Sequence, residues 1–223
     1  REDVDPKLVE QLRKEWGLDK PIHIRYFIYM KDLVSGDFGT SYMRGEDVAK
    51  IVLERFWPTF KLALAALTIA IVFGLPLGFY SALRQGTWVD TICMVGAVSG
   101  ISIPQFWLGL LLMLFFSVNL GILPTSGYGD GNFIHLILPA FTLGMHYMAL
   151  LARTTRAAVI EVLSTDYIRT AHAKGLSGFL INRKHVLRNA FILVLTIIGL
   201  QFGGLMGRTV IVEKIFSWPG IGS

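Results

Sequence analysis

The residues with chemical potential are few and widely spaced. His135 and His146 stand eleven apart in an apolar run, about three helical turns, with no cysteine beside them. That spacing builds no metal cage, and the single cysteine, Cys93, rules out an internal disulfide. Ser99 and His146 have the residue types of a hydrolase dyad, but Ala97-Val98-Ser99-Gly100 carries no signal of a strained nucleophile turn, and small residues in apolar runs serve packing. There is no G-x-x-x-x-G-K-S/T, so the sequence holds no ATPase signature, and no H-E-x-x-H. Gly127, Gly129 and Gly131 form a G-x-G-x-G outside any strand-to-helix turn, which argues against dinucleotide binding. His146 remains open between a bond inside a helix bundle and a role towards substrate or a proton.

The elements around these residues are apolar. The 223 residues are 53% hydrophobic and 17% charged, with a mean hydropathy of +0.55. A soluble domain carries roughly 25% charge. Leu62–Leu83, Thr91–Leu120, Phe133–Ala152 and Ala190–Gly207 are free of Asp, Glu, Lys and Arg. The first covers roughly 33 Å as a helix, enough for a bilayer core of about 30 Å. The expected fold is therefore all-α and integral to a membrane, with spans near residues 59–83, 91–120, 133–152 and 190–208. Ion-coupled carriers keep ionisable groups at mid-membrane, and the cores of these spans hold none.

Net charge is +5, and its distribution points to a bilayer rather than nucleic acid. Residues 153–189 hold seven basic groups and 121–132 hold none, while 1–58 balance 10 basic against 11 acidic. The positive-inside rule places 153–189 in the cytoplasm and 121–132 outside. Threading backwards puts residues 1–58 outside, so an upstream span is expected to export them. Trp218–Ser223 reads as mid-loop, and a downstream span is expected as well.

Within residues 1–58, Asp5 and Pro6 start a helix carrying Leu8, Leu12 and Trp16 and stopped at Gly17. Asp19 and Pro21 repeat the start signal for Ile22, Tyr26, Tyr29 and Leu33, closed by Ser35-Gly36. A third helix is expected over Glu46–Trp57, ending before Pro58. The segment fits either a packed cap or a docking surface for an external partner.

In the spans, Gly74/Gly78, Gly96/Gly100 and Gly199/Gly203/Gly207 are each four apart and share a helix face. Pro76, Pro104 and Pro139 each remove a backbone donor and can kink a helix. Such a bundle either simply packs or rocks against a second bundle. In the basic loop, Ser164 is a candidate cap for a helix through Tyr167-Ile168-Arg169-Thr170-Ala171-His172-Ala173-Lys174-Gly175, with Ala171 and Gly175 expected to share a face. His185-Val186-Leu187-Arg188-Asn189-Ala190 follow as a second short helix. The pair makes a knob that is either a solvated face or a docking element.

These residues resemble the loop with which ABC importer permeases engage their ATPases, in the dipeptide/oligopeptide/nickel subfamily. The match runs through Tyr167, Arg169, Thr170, Ala171, Ala173, Lys174 and Gly175, then His185, Leu187, Arg188, Asn189 and Ala190. Leu18-Asp19-Lys20-Pro21, Gly36-Asp37-Phe38-Gly39-Thr40-Ser41, Arg55-Phe56-Trp57-Pro58-Thr59, Ser102-Ile103-Pro104-Gln105-Phe106 and Val212–Gly220 fit the same pattern in order. His172 stands where arginine is expected and Leu193 where proline is usual.

The resemblance implies a type I ABC importer transmembrane domain (MetI-like) over residues 59–223, with four of an expected six spans present. It implies a bacterial or archaeal plasma membrane, a homologous second permease, two ATPase subunits and an extracytoplasmic solute-binding protein. ATP and magnesium would sit on the ATPases, and this chain would bind no cofactor or metal. Coupling would fall to residues 167–175 with His185, Arg188 and Asn189. Gly199, Gly203, Gly207, Pro104 and His146 are candidates for helix packing or the pathway. The implied cargo is di- or oligopeptides or a related small solute, against an ion-coupled secondary carrier as the alternative.

Overall fold

The computed structural model describes Glu10, residues 18–41 and residues 44–223. The expected helix over Asp5–Gly17 lies outside the described residues apart from Glu10. The chain divides into two compact units, Arg1–Glu54 and Arg55–Ser223.

In the first unit, α1 runs Ile22–Val34 behind Pro21, whose fixed φ suits a helix start. Asp19 does not cap it. None of its residues is fully buried: Ile22, Tyr26 and Tyr29 of the expected stripe are exposed and Leu33 is half-buried. Ser35 closes the helix, and an isolated antiparallel bridge pairs Thr40 with Asp47. The Asp47 carboxylate then accepts from the Ala49 N–H, satisfying one orphan donor at the start of α2.

Helix α2 spans Val48–Leu83 and passes straight through Pro58, where the sequence suggested a stop. The reason is local. Proline disfavours an α-helical predecessor only modestly, and burial of Thr59, Leu62, Ala63, Ala66 and Leu67 on the following turns holds the helix together. A widened π-helical turn at Ala70–Gly74 precedes Pro76. It absorbs the missing N–H and ring bulk that would clash in a regular turn.

The run 91–120 is not one straight span. It forms α3 (Trp88–Ser102) and α4 (Gln105–Asn119), bent by 103°. Ile103 is extended and Pro104 caps α4, as the restriction on a pre-proline residue demands. Pro104 therefore breaks the helix rather than kinking it. Pro139, by contrast, is tolerated inside α5 (Phe133–Leu163), which starts on the Asn132 side-chain cap. After α6 (Asp166–Ala173), α7 runs Gly178–Ile215.

By length and composition α2, α5 and α7 can each cross a membrane, and α3 with α4 adds a broken fourth crossing. α5 is the hub: its buried residues Leu138, Leu143 and Tyr147 join Leu62, Ala66, Leu205 and Phe216 in one core, and Leu151 and Val159 lie in a second. Glycines set the closest approaches. A Cβ on Gly78 would strike the Ala152 carbonyl and Thr155, one on Gly74 would stand 2.7 Å from the Met148 oxygen, and one on Gly144 2.7 Å from the Ala66 oxygen. Gly100 packs on Ala149, but Gly96, Gly199, Gly203 and Gly207 face open space.

Candidate functional site

The expected knob is built from the end of α5, α6 and the start of α7. α5 continues to Leu163, so residues 153–163 extend the span instead of forming loop. Ser164 terminates α5, and Thr165 stands at the N-cap of α6 without a side-chain cap bond. The Thr170 hydroxyl bonds back to the Asp166 carbonyl at 3.0 Å, and Arg169 pairs with Asp166 at 3.5 Å on the exposed surface. α6 ends at Ala173. The Gly175 N–H then donates to the His172 carbonyl at 2.9 Å, with Gly175 at φ +76°. This left-handed position favours glycine, which explains why the turn stops where it does.

Ala171 and Gly175 do not share a face, because Gly175 lies beyond the helix. Ala171 is buried with Ile168 and anchors α6 on Ile181, Val186 and Val159, while His172, Ala173, Lys174 and Gly175 are exposed. His185, Arg188 and Asn189 do not form a separate short helix. They sit on α7, around a π-helical turn at Asn182–Val186, because the helix that begins on the Ser177 cap never breaks before Ile215. Asn189 ties the two parts together: its amide donates to the Tyr167 hydroxyl at 3.0 Å and to the His185 carbonyl at 2.9 Å. The tip is thus an apolar-anchored, donor-rich protrusion with exposed Tyr167, Phe179, Lys174 and Arg188. It can dock a partner, and it presents no nucleophile–base arrangement. Leu193, at 48% exposure, sits inside the unbroken helix.

Two polar clusters at opposite ends of the bundle were not singled out from sequence. At the knob end, Arg156 on α5 grips Asp90 on α3, Nε to Oδ1 and Nη2 to Oδ2, both at 2.6 Å. The Ser81 hydroxyl at 2.5 Å and the Gly86 N–H at 3.0 Å complete the carboxylate's partners. Asp90 is 5% exposed. Such a bidentate pair fixes geometry more strongly than a point contact. Its sequence signal was an acid in the first turn of one span and a pair of arginines, Arg153 and Arg156, just past another.

At the far end, fully buried Glu213 accepts from the Thr59 hydroxyl at 2.6 Å and from the Gly222 N–H at 2.8 Å. The Trp218 indole donates to the Pro58 carbonyl at 2.9 Å, and its ring stands edge-on to Tyr128 at 4.8 Å. The stretch after α7 is a loop, as the sequence suggested, and it folds back onto the bundle.

The family relationship follows from this arrangement of broken and unbroken spans carrying an α6 knob. Residues 74–223 match the model of the binding-protein-dependent transport system inner membrane component. The chain belongs to that family. A glutathione transport system permease protein, GsiC, from Pectobacterium atrosepticum is 45% identical over 220 residues, covering 99% of this chain and 71% of that protein. Its counterpart from Salmonella typhi is 44% identical over the same shares. Among solved structures, an inward-facing MetNI methionine ABC transporter superimposes with a TM-score of 0.63 at 19% identity, over 77% of each chain. An amino acid ABC transporter with histidines gives 0.61 at 16% identity, over 78% of this chain and 75% of that one. These likenesses establish the type I importer transmembrane fold for the permease.

Midway along the permease bundle the polar groups are arranged differently. Tyr147 on α5 is 3% exposed and Gln201 on α7 is 6% exposed. Both polar atoms of the Gln201 amide find no hydrogen-bond partner among the described residues, and the Tyr147 hydroxyl makes no bond of good geometry, although the Arg208 guanidinium lies close to it. A buried polar group without a partner costs about 1–3 kcal/mol. His146 is half-buried and stands edge-on to Tyr147 at 5.6 Å, without a nucleophile beside it. Pro104 borders an open hollow with Ser99, Ser102, Phe106 and Trp107. Gln201 was legible as the one amide in an otherwise apolar run, and its significance needed the burial.

Proposed function

We propose that this permease forms half of an ATP-driven import pathway for short peptides or glutathione-like solutes. It would pair with a homologous second permease in a bacterial inner membrane. Cargo would arrive from an extracytoplasmic binding protein, and two ATPase subunits, carrying the ATP and magnesium, would dock below. The observation that carries this reading is the α6–Gly175 knob on a chain 45% identical to glutathione permeases over nearly its whole length.

The role of the knob is mechanical. Ile168 and Ala171 root α6 in the core shared by α5 and α7, so a push on the exposed His172–Gly175 face reaches both spans through packed contacts. Exposed Tyr167 is linked through Asn189 to α7, giving a second lever. Energy enters because the docked ATPases bind one arrangement of the bundle better than another. Lys174 and Arg188 supply charge to the contact. His172 supplies a smaller donor than arginine would.

The test is Gly175→Asp in the assembled transporter, reconstituted in vesicles with its ATPases and binding protein. Uptake of labelled glutathione or a dipeptide should fall by about tenfold or more while the spans stay inserted. Wild-type uptake by the variant would refute the coupling role. Uptake by the parent protein that persists without ATP under an ion gradient would refute the ATP-driven reading.

A further inference from the structure

The orphaned polar groups at mid-bundle lie on the inner side of α7, opposite a row of open glycines. Gly199, Gly203 and Gly207 line the exposed surface of α7, and nothing in the described chain stands within 4 Å of a Cβ placed on any of them. Gly204 lies in the same stretch. A Cβ there would stand 3.8 Å from the buried Tyr147 hydroxyl, so only the missing side chain of exposed Gly204 separates that hydroxyl from the outer surface of α7. Small residues alone mark only a place for close approach. Gly204 differs from the other three in having the buried Tyr147 hydroxyl behind it.

Charge adds direction. Gln201, Gly204 and Arg208 follow at three and four residues and so fall on one stripe of α7. Arg208 is exposed and is the charge that bears on both His146 and Tyr147. Between Arg188 and Glu213 it is the only ionisable residue of α7. The stripe therefore offers an amide with donor and acceptor free, a hydroxyl, and a guanidinium fork two turns away. Gln201 and Arg208 are separated by about 10 Å along the helix. Two or three extended residues of peptide cover that distance. An amide matches a peptide unit, and a guanidinium matches a carboxylate in two-point contact.

We propose that Gln201, Tyr147 and Arg208 form an intramembrane contact site for the carboxylate end of a short peptide, reached through the gap at Gly204. The site rests on the reading of this permease as a peptide importer. Gln201 takes the last peptide unit, the Tyr147 hydroxyl bonds the chain end, and Arg208 pairs with the terminal carboxylate. In the present arrangement the amide and hydroxyl are closed off, and separation of α5 from α7 opens them.

The experiment uses the complete transporter, purified with both permeases and its ATPases and reconstituted with the binding protein. The probes are labelled alanyl-alanine and its C-terminal amide, and the readout is uptake per ATP hydrolysed. Gln201→Met and Tyr147→Phe keep side-chain volume and remove the hydrogen-bonding atoms. Each is expected to lower uptake of the free acid per ATP by about tenfold, the effect of about 1.4 kcal/mol. Arg208→Gln is expected to erase the parent's preference for the acid over the amide. Gly204→Leu, at an exposed position where the added Cβ makes only ordinary contact with the Tyr147 hydroxyl at 3.8 Å, is expected to block uptake by covering Tyr147.

If Gln201→Met and Tyr147→Phe keep the parent's uptake per ATP, and Arg208→Gln keeps its acid-to-amide ratio, the polar groups are merely structural and the proposal is overturned. If the parent protein accumulates neither probe, the peptide reading itself fails and the contact site falls with it. The two failures are told apart by the parent protein alone.

Discussion

Asp90 and Gln201 are both polar, both buried and both inside the same bundle, yet their surroundings are opposite. The Asp90 carboxylate has four donors: two from Arg156, one from Ser81 and one from the Gly86 backbone. The Gln201 amide has none among the described residues. Glu213, at the other end of α7, resembles Asp90: Thr59 and Gly222 both donate to it. These two carboxylates are thus saturated, whereas the Gln201 amide at mid-bundle is not; Thr155 Oγ1 and His135 Nδ1, nearer the two ends, also lack a partner among the described residues. A saturated cluster joins helices at fixed distances. An unsaturated one carries a standing cost in one arrangement that a second arrangement, or a ligand, can relieve. The two buried carboxylates are built as joints, and the Gln201–Tyr147 centre as a place where partners change.

The sharpest way to break that contrast is to remove one half of a joint. Asp90→Ala leaves Arg156 partly buried without its carboxylate and strips Ser81 and Gly86 of an acceptor. The expected loss is about 3–5 kcal/mol, read as a lower unfolding midpoint in detergent or nanodiscs. The double variant Asp90→Ala with Arg156→Met should recover most of it, since an unpaired charge is worse than no charge. A single variant as stable as the parent would remove Asp90 from the class of joints.

Glu213→Ala should cost about 2–3 kcal/mol by the same measurement, because Thr59 and Gly222 lose their acceptor in a fully buried site. Gly78→Ala should cost about 1–3 kcal/mol, as its Cβ meets the Ala152 carbonyl and pushes α2 from α5. Gly203→Ala faces open space within this chain and should change stability by less than about 0.5 kcal/mol.

One effect has the opposite sign. Gln201→Met fills the same volume without the orphaned amide and should raise the unfolding midpoint, by about 0.5–2 kcal/mol of stability. Destabilisation comparable to that of Asp90→Ala would show that Gln201 is a joint too. A gain in stability together with lost uptake would mark the centre as functionally strained.

Much of this was legible in the sequence, for physical reasons that differ by region. Charge-free runs of about 20 residues announce spans because a bilayer admits little else. The positive charge of residues 153–189 and the Lys174-Gly175 stop located the knob. The 103° break at Pro104 was not legible, since a proline within 30 apolar residues can kink or break a helix and only the packing decides. Pro58 misled in the other direction: its local preference for a stop yields to the buried turns after it. Ala171 looked like a surface neighbour of Gly175 because periodicity assumes a helix that in fact ends at Ala173.

The clusters at Asp90 and Glu213 depend on partners 66 and 154 residues away, Arg156 and Thr59, which no local pattern links. Gly199, Gly203 and Gly207 read as a packing face, but within the described chain they pack on nothing. Packing glycines and open glycines share the same spacing; only the neighbouring helix tells them apart. Gln201 and Tyr147 were the least visible, because an orphaned hydrogen bond is a property of the fold and leaves no mark on the sequence.

The most direct measurement is the structure of the assembled transporter trapped with ATP bound by its ATPases, compared with the present arrangement. The account predicts that Asp90 keeps its two short contacts to Arg156 while Gln201 and the Tyr147 hydroxyl gain water or substrate as α5 and α7 separate. A trapped state in which Gln201 and Tyr147 stay buried without partners, while the Asp90–Arg156 pair comes apart, would contradict it.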